Sequence, residues 1–452
     1  MQGNKLPRLL VILCGSFIFY GWWDWRFLLL IVFSITSNYY FSQVIRSSPD
    51  KKLVALSIIL NLVILGFFKY FNFFIESFSE VVSIIFGQIN VVTLNIILPV
   101  GISFFTFQAI SYIIDTHKGE IKHNPTLLEF AVYLSLFPQL VAGPIVRAAH
   151  LIPQIQNKIM ITHQDIYRGF SFILWGFFLK LGLAENAAPI VDIVFSEYAL
   201  LSRADILLGV FSFSLQIYGD FAGYSLIAIG LGVLLGFDFG INFRRPYFSS
   251  SFSDFWRRWH ISLSSWLRDY LYIPLGGNRH GNYKTYRNLF ITMVLGGLWH
   301  GASWNFVIWG ALHGTYLSIE KLLGLNTQNN RSNHYLVNAI QKGLYGFTVF
   351  FFVSFAWVFF RAKDTETAIG ILEKLLYSES HFFLKSEITQ LITLVFICIL
   401  VVIKDSYDEY TASHTSANSI STTSKGILAI FCFFVLLVFA KFNDTAFIYF
   451  QF

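Results

Sequence analysis

Charge is scarce in this sequence. Only 13% of its 452 residues are Asp, Glu, Lys or Arg, against about a quarter in an ordinary soluble domain. The shortage runs from end to end, which excludes a soluble enzyme carried on one anchor. It also leaves no polar stretch long enough for a nucleic-acid-binding domain, despite a formal net charge of +6. Cysteine is rare too: Cys14, Cys398 and Cys432 lie far apart inside apolar runs. That excludes a disulfide framework and a cysteine metal cluster, and the three read as small buried hydrophobes. A cleavage signal is also missing. Met1 to Arg8 followed by an apolar run mimics a signal peptide, but no small-residue cleavage site follows, and Leu13 before Cys14 argues against a lipoprotein. The expectation is a retained membrane helix. No Cys-x-x-Cys, His-Glu-x-x-His, Gly-x-Ser-x-Gly or phosphate-loop pattern occurs.

What the chain has is apolar surface: 55% hydrophobic residues and 51 Phe, in runs that recur throughout. This predicts an all-α, polytopic integral membrane protein. At about 20 residues per crossing, the runs correspond to roughly ten to twelve transmembrane helices. Interfacial amphipathic helices accompany them. We read residues 1–452 as one membrane domain, with the informative motifs at about 95–320 and peripheral helices at about 340–452. Lys and Arg gather in short connections, as expected of loops facing anionic lipid in the cytoplasm. No repeat period stands out, which gives little support to an inverted-repeat transporter.

Local chemistry refines the picture. Val81 to Leu98 reads as a span, and Pro99-Val100-Gly101 as a helix break before Ile102. Asp220 lies in the middle of an apolar stretch. An unpaired Asp there is expensive, so it faces either a polar cavity or a bonding partner on a neighbouring helix. Gly232, Gly236 and Gly240 recur every four residues and predict a close-packing helix face. From Arg244 to Arg287, eight Lys or Arg stand against Asp254 and Asp269, interleaved with Trp and Tyr. That stretch does not read as a span; it predicts amphipathic helices at the cytoplasmic interface. Asp405 to Lys425 reads as a flexible connection without chemistry.

Three histidines draw attention. His300 lies between Trp299 and Gly301, after the Gly296-Gly297 pair, in surroundings that include Trp304. The glycines would let backbone and substrate approach the imidazole. An ionisable group at membrane depth is a functional hypothesis by default, and a His pKa suits general-base work. A packed, hydrogen-bonded histidine and a metal ligand remain open for the same residue. His260 sits among Arg257, Arg258 and Trp259, where a structural or anchoring role is the simpler reading. His313 follows His300 by 13 residues. On one continuous helix, steps of about 100° put the two on different faces, so His313 is a supporting residue unless a glycine breaks the helix.

The residues also carry a resemblance. Phe255 to Leu275 (FWRRWHISLSSWLRDYLYIPL), Gly296 to Gly301 (GGLWHG), Pro99 to Asp115 (PVGISFFTFQAISYIID) and Gln216 to Ser225 (QIYGDFAGYS) resemble the membrane-bound O-acyltransferase family. The closest branch is that of alginate and peptidoglycan O-acetyltransferases. The resemblance implies a ring of membrane helices around a central funnel or tunnel. It implies that His300 is catalytic and that His260 is a second important histidine. Members usually carry a further apolar helix ahead of the segment matching Leu9 to Gly21, which is missing here. In this branch an acyl group passes from a cytoplasmic donor to an acceptor outside. The expected setting is therefore the bacterial cytoplasmic membrane, with membrane lipids around the chain, an exported polysaccharide as acceptor and an extracytoplasmic acetyltransferase or esterase-like partner protein.

The resulting expectation is an O-acetyltransferase without a bound cofactor or metal, using acetyl-CoA as donor. His300 would be the base, with Arg257, Arg258 and Arg268 on a basic platform attracting an anionic donor. Asp220, Tyr224, Trp299, Trp304 and His313 are tunnel or supporting candidates. Two alternatives stand beside it. D-alanyl transfer to teichoic acid shares the histidine motifs, though Leu275-Gly276-Gly277-Asn278-Arg279 favours the acetyl branch. A carrier or channel could also hand the donor to an external transferase.

Overall fold

The computed structural model describes residues 5–87, 91–325, 335–377, 388–414 and 432–441. Every regular element among them is helical. By their contacts the residues fall into two compact units.

The first unit comprises Met1–Phe170 and Ala228–Gly240. It holds α1 (Lys5–Trp23), α2 (Arg26–Ser47) and α3 (Lys51–Leu65). A π-helical turn at Gly66–Tyr70 joins α3 to α4 (Phe71–Phe86). Then come α5 (Ile102–His117), α6 (Leu127–Ser135), α7 (Phe137–Leu140), α8 (Ala148–Gln156) and the start of α9 (His163–Phe177). Polar pairs join its apolar helices: the Asn38 and Asn61 side chains bond across α2 and α3 at 2.8 and 3.2 Å, and Tyr112 Oη donates to Ser42 Oγ at 3.0 Å. Without water, such groups satisfy one another.

The second unit comprises Ser171–Ile227 and Ile241–Phe452. It takes the rest of α9, a π-helical segment Phe178–Ala184, α10 (Glu185–Glu197) and most of α11 (Arg203–Leu234). Three short elements follow: α12 (Phe252–Arg258), α13 (Ile261–Leu267) and a π turn at Arg268–Tyr272. None is long enough to cross a bilayer, in line with the interfacial reading of 244–287. The unit continues with α14 (Asn282–His300), α15 (Trp304–Leu322), α16 (Tyr335–Arg361), α17 (Thr365–Tyr377) and α18 (Ile388–His414).

Among the described residues, six stretches are long and apolar enough to cross a membrane: α1, α2, α3 with α4, α11, Gln341–Arg361 and Ile388–Thr411. The chain is thus an all-α, multi-pass membrane protein. The expected ten to twelve crossings exceed the stretches that qualify among the described residues. α14 and α15 have 19 residues each but carry charged ends and do not qualify.

Four expectations change. Val81 to Leu98 is not one helix: α4 ends at Gly87, whose φ is +85°, and the Asn72 side chain pairs with both backbone groups of Leu94 at 2.8 and 3.0 Å. The glycine face at 232–240 does not exist, because α11 stops at Leu234 and Gly236 and Gly240 have φ of +82° and +75°. Gly236 permits the turn in which Phe237 N–H returns to the Gly232 carbonyl at 2.8 Å. The continuous helix on which His300 and His313 would take different faces breaks at Gly301 into α14 and α15. Finally, 405–414 is no flexible connection; it continues α18 and supplies the buried Asp405, which accepts a bond from Tyr218 Oη at 3.1 Å. Residues 326–334 and 415–425 lie outside the described residues.

Candidate active site

The site begins with how closely α14 and α15 pack. A Cβ on Gly310 would lie 2.9 Å from Val294 Cα, one on Gly297 3.1 Å from Gly310 Cα, and one on Gly314 2.9 Å from Phe290 Cα. Residue numbers rise on one helix as they fall on the other, so the pair is an antiparallel hairpin. Glycines there remove the side chains that would hold the backbones apart. The glycines beside His300 therefore admit a neighbouring helix.

His300 is the last residue of α14 and only 4% exposed. The extended Gly301 ends the helix, and Ser303 caps α15 by accepting the Asn305 N–H at 3.3 Å. Trp299, Trp309 and Phe360 meet the His300 ring edge-on, with centroids at 5.1, 5.1 and 5.2 Å.

His260 reaches the same place from the short helices. It is fully buried and has φ of +43°, a left-handed conformation unusual for a residue with a Cβ. Asn242 holds this turn. Its carbonyl accepts the Ile261 N–H at 2.8 Å. Its Oδ1 accepts the Ser262 N–H at 3.1 Å and the Ser262 hydroxyl at 2.9 Å, and lies 3.3 Å from His260 Nδ1. Phe221 of α11 packs edge-on at 4.7 Å. His260 lies outside the six candidate spans, and burial pushes its pKa down to about 3. At neutral pH it acts as a hydrogen-bonding dipole, not as a cation.

The His260 and His300 ring centroids are 6.5 Å apart, and Trp299 lies within 6.1 Å of His260. The rings are too distant for a direct hydrogen bond. His313 is one ring further out. The break at Gly301 lets Trp309 stand between the two imidazoles, 5.1 Å from His300 and 4.8 Å from His313. Phe255 stacks on His313 and Trp256 meets it edge-on. Among the described residues no group of three or more His, Cys, Asp or Glu gathers where a metal ion could be held.

The remaining candidates fall elsewhere. Asp220 is ion-paired with Lys180 from the π-helical segment. Tyr224, one turn further along α11, is half-buried, and Trp304 at the start of α15 is 53% exposed. Two of the platform arginines are neutralised. Arg258 pairs with Asp254 at 3.0 Å and, through two nitrogens, with Glu409 at 3.0 and 3.1 Å. Arg268 pairs with its neighbour Asp269. Arg257 is exposed and has no ion pair among the described residues.

Lys180, Asn242, Glu320 and Glu409 were not singled out by the sequence reasoning. One had a signal: Lys180 is a lone charge in an apolar stretch and demands a partner as Asp220 does, whereas Glu320 stands beside Lys321. Asp220→Ala should destabilise the folded protein by roughly 1 to 3 kcal/mol, since it removes the carboxylate that pairs with a part-buried ammonium. Thermal unfolding in detergent measures this. Asp220→Ala with Lys180→Met should recover most of the loss and retain acyl transfer; an inactive but well-folded double variant would give Asp220 a direct role.

An all-helical multi-pass protein with two buried histidines beside a glycine-packed hairpin defines a membrane-embedded enzyme class, and comparison with known proteins specifies it. Residues 115–360 match the model of MBOAT, the membrane-bound O-acyltransferase family, and the chain belongs to that family and is an O-acyltransferase. It is similar to the Pseudomonas putida protein "Probable alginate O-acetylase AlgI", with 42% identity across 81% of this chain and 74% of that protein. It is 35% identical to the Helicobacter pylori peptidoglycan O-acetyltransferase, across 99% of this chain and 92% of the relative. Similarity extends to the Streptococcus thermophilus teichoic acid D-alanyltransferase, at 32% identity across 55% and 63%.

Proposed function

We propose that the protein moves an acetyl group from acetyl-CoA on the cytoplasmic side to hydroxyls of an exported polysaccharide, in the cytoplasmic membrane of a bacterium. The observation that carries this reading is the buried pair His260 and His300, 6.5 Å apart between ring centroids. In the proposed step, His300 takes the proton of an acceptor hydroxyl. The oxygen attacks the thioester carbonyl, the carbon–sulfur bond breaks, and the departing thiolate takes the proton from His300. His260, neutral and held by Asn242, orients the carbonyl. Such general-base help contributes about 10² to 10⁴ in rate. Arg257 is the platform cation best placed to attract an anionic donor, because Arg258 and Arg268 already face carboxylates. An assay without any extracytoplasmic partner protein tests the core of this step by following thioester turnover alone.

The names of the relatives support acetyl transfer to a polysaccharide acceptor. The D-alanyltransferase similarity keeps D-alanyl transfer as a second reading. Purified protein in liposomes, given acetyl-labelled CoA and either alginate or peptidoglycan fragments, should release CoA and label the polymer. Mass analysis of the product separates acetyl from D-alanyl adducts. Donor transport without thioester turnover would overturn the proposal in favour of a carrier.

A further inference from the structure

We propose that Glu320 is a positioning residue that sets His260 against His300 by anchoring the start of α12; the inference rests on the histidine-pair reading above. Glu320 is 3% exposed, near the end of α15. Its carboxylate accepts the backbone N–H of Phe252, the backbone N–H of Ser253 at 3.1 Å and the Ser253 hydroxyl. Ser251 Oγ accepts the Asp254 N–H at 3.0 Å, so the first turn of α12 is capped by its own chain and by α15. A carboxylate at this end also meets the positive pole of the helix dipole.

The seven residues of α12 are too few to be a stable helix alone. They lead directly into Trp259 and the left-handed His260, and a residue with φ of +43° persists only where its surroundings over-determine it. Asn242 secures the far side of that turn. Glu320 secures the near side, eight residues before the histidine ring is presented. The other partner is on the same helix. The buried face of α15 carries Phe306, Trp309, Gly310, His313, Leu317 and Glu320 at helical spacing. Trp309 touches the His300 ring, Gly310 seats α14, and His313 lies against Phe255 and Trp256 of α12. One helix therefore positions both imidazoles, one through packing and the other through the Glu320 clamp.

The test uses the full chain in detergent or liposomes, with Glu320→Ala, Glu320→Gln and Ser253→Ala. Removing the carboxylate takes away the acceptor that the Phe252 and Ser253 N–H groups share. Glu320→Ala should lower kcat, normalised to monodisperse protein, about tenfold or more while KM for the thioester stays within about threefold, because a displaced catalytic group costs rate and not binding. Glu320→Gln keeps an acceptor oxygen and should recover most of the rate. Hydrogen exchange should rise selectively across residues 252–262 in Glu320→Ala and leave 289–317 as in the parent. A wild-type kcat in Glu320→Ala, or exchange rising equally in both segments, overturns the proposal. Should Glu320→Ala not fold, Ser253→Ala decides: a smaller kcat loss with the same selective exchange supports the clamp, and no change in either overturns it. The exchange arm reads the clamp itself, so it stays decisive even if His300→Ala proves active and the histidine assignment fails.

Discussion

His300→Ala should lower acyl transfer by about 10² or more, the smallest loss expected when a general base is removed. The ring ends α14 and is boxed by Trp299, Trp309 and Phe360. None of those three can accept a proton from a hydroxyl at neutral pH, so they cannot replace it. The measurement is label transfer from an acetyl thioester, per monodisperse protein. His300→Gln serves as a second variant, because it fills much of the same space and retains hydrogen bonding but has no basic nitrogen. It should be as inactive as the alanine variant. His313→Phe provides the contrast: it keeps the stack on Phe255 and should stay within about tenfold of the parent, since Trp309 separates it from His300. Full activity in both His300 variants would remove His300 from the chemistry.

The second large effect is expected at a glycine. In Gly310→Ala, the new methyl would lie 2.9 Å from Val294 Cα and press on the Met293 carbonyl. Neither is a flexible side chain, so the strain is relieved only by moving α14 and α15 apart. Overpacking of this kind costs about 1 to 3 kcal/mol of stability. The effect on rate should be larger, because His300 is carried at the end of α14 and a misplacement of about 1 Å can cost about 10² in rate. A folded Gly310→Ala protein with a slightly lower melting temperature and about 10²-fold lower kcat is the expected result. A normal kcat would mean that the hairpin has slack at this point.

Much of this was legible in the sequence because it depends on local composition. The apolar runs make a membrane protein, and the basic Trp- and Tyr-rich stretch 244–287 forms helices too short to span as far as Tyr272, its last residues opening α14. His300 could be nominated because a histidine in apolar surroundings is conspicuous, whereas His260, among Arg257 and Arg258, was raised only by the family resemblance. The errors came where a local pattern has two physical outcomes. Glycines spaced by four at 232–240 suggested a helix face, but the left-handed turn at Gly236 competes with helix and wins. The polar composition of 405–414 suggested a flexible connection, yet Asp405 and Glu409 face Tyr218 and Arg258 and draw that segment into α18. The Gly296-Gly297 pair suggested room for substrate; the room is taken by α15 at Gly297 and by the Leu267 side chain at Gly296.

By itself the sequence determined the class of protein: helical, membrane-spanning, and bearing histidines that composition alone cannot justify. It did so because burial in lipid is written into every apolar run. Only the tertiary structure decided which groups meet. It brought His260 beside His300, set Trp309 between His300 and His313, paired Asp220 with Lys180, and neutralised Arg258 with a carboxylate 151 residues away. The physical reason is that periodicity reports which face of an element is buried and not what is buried against it. Partners distant in the chain are chosen by the packing of whole helices, and here by a glycine seam between α14 and α15.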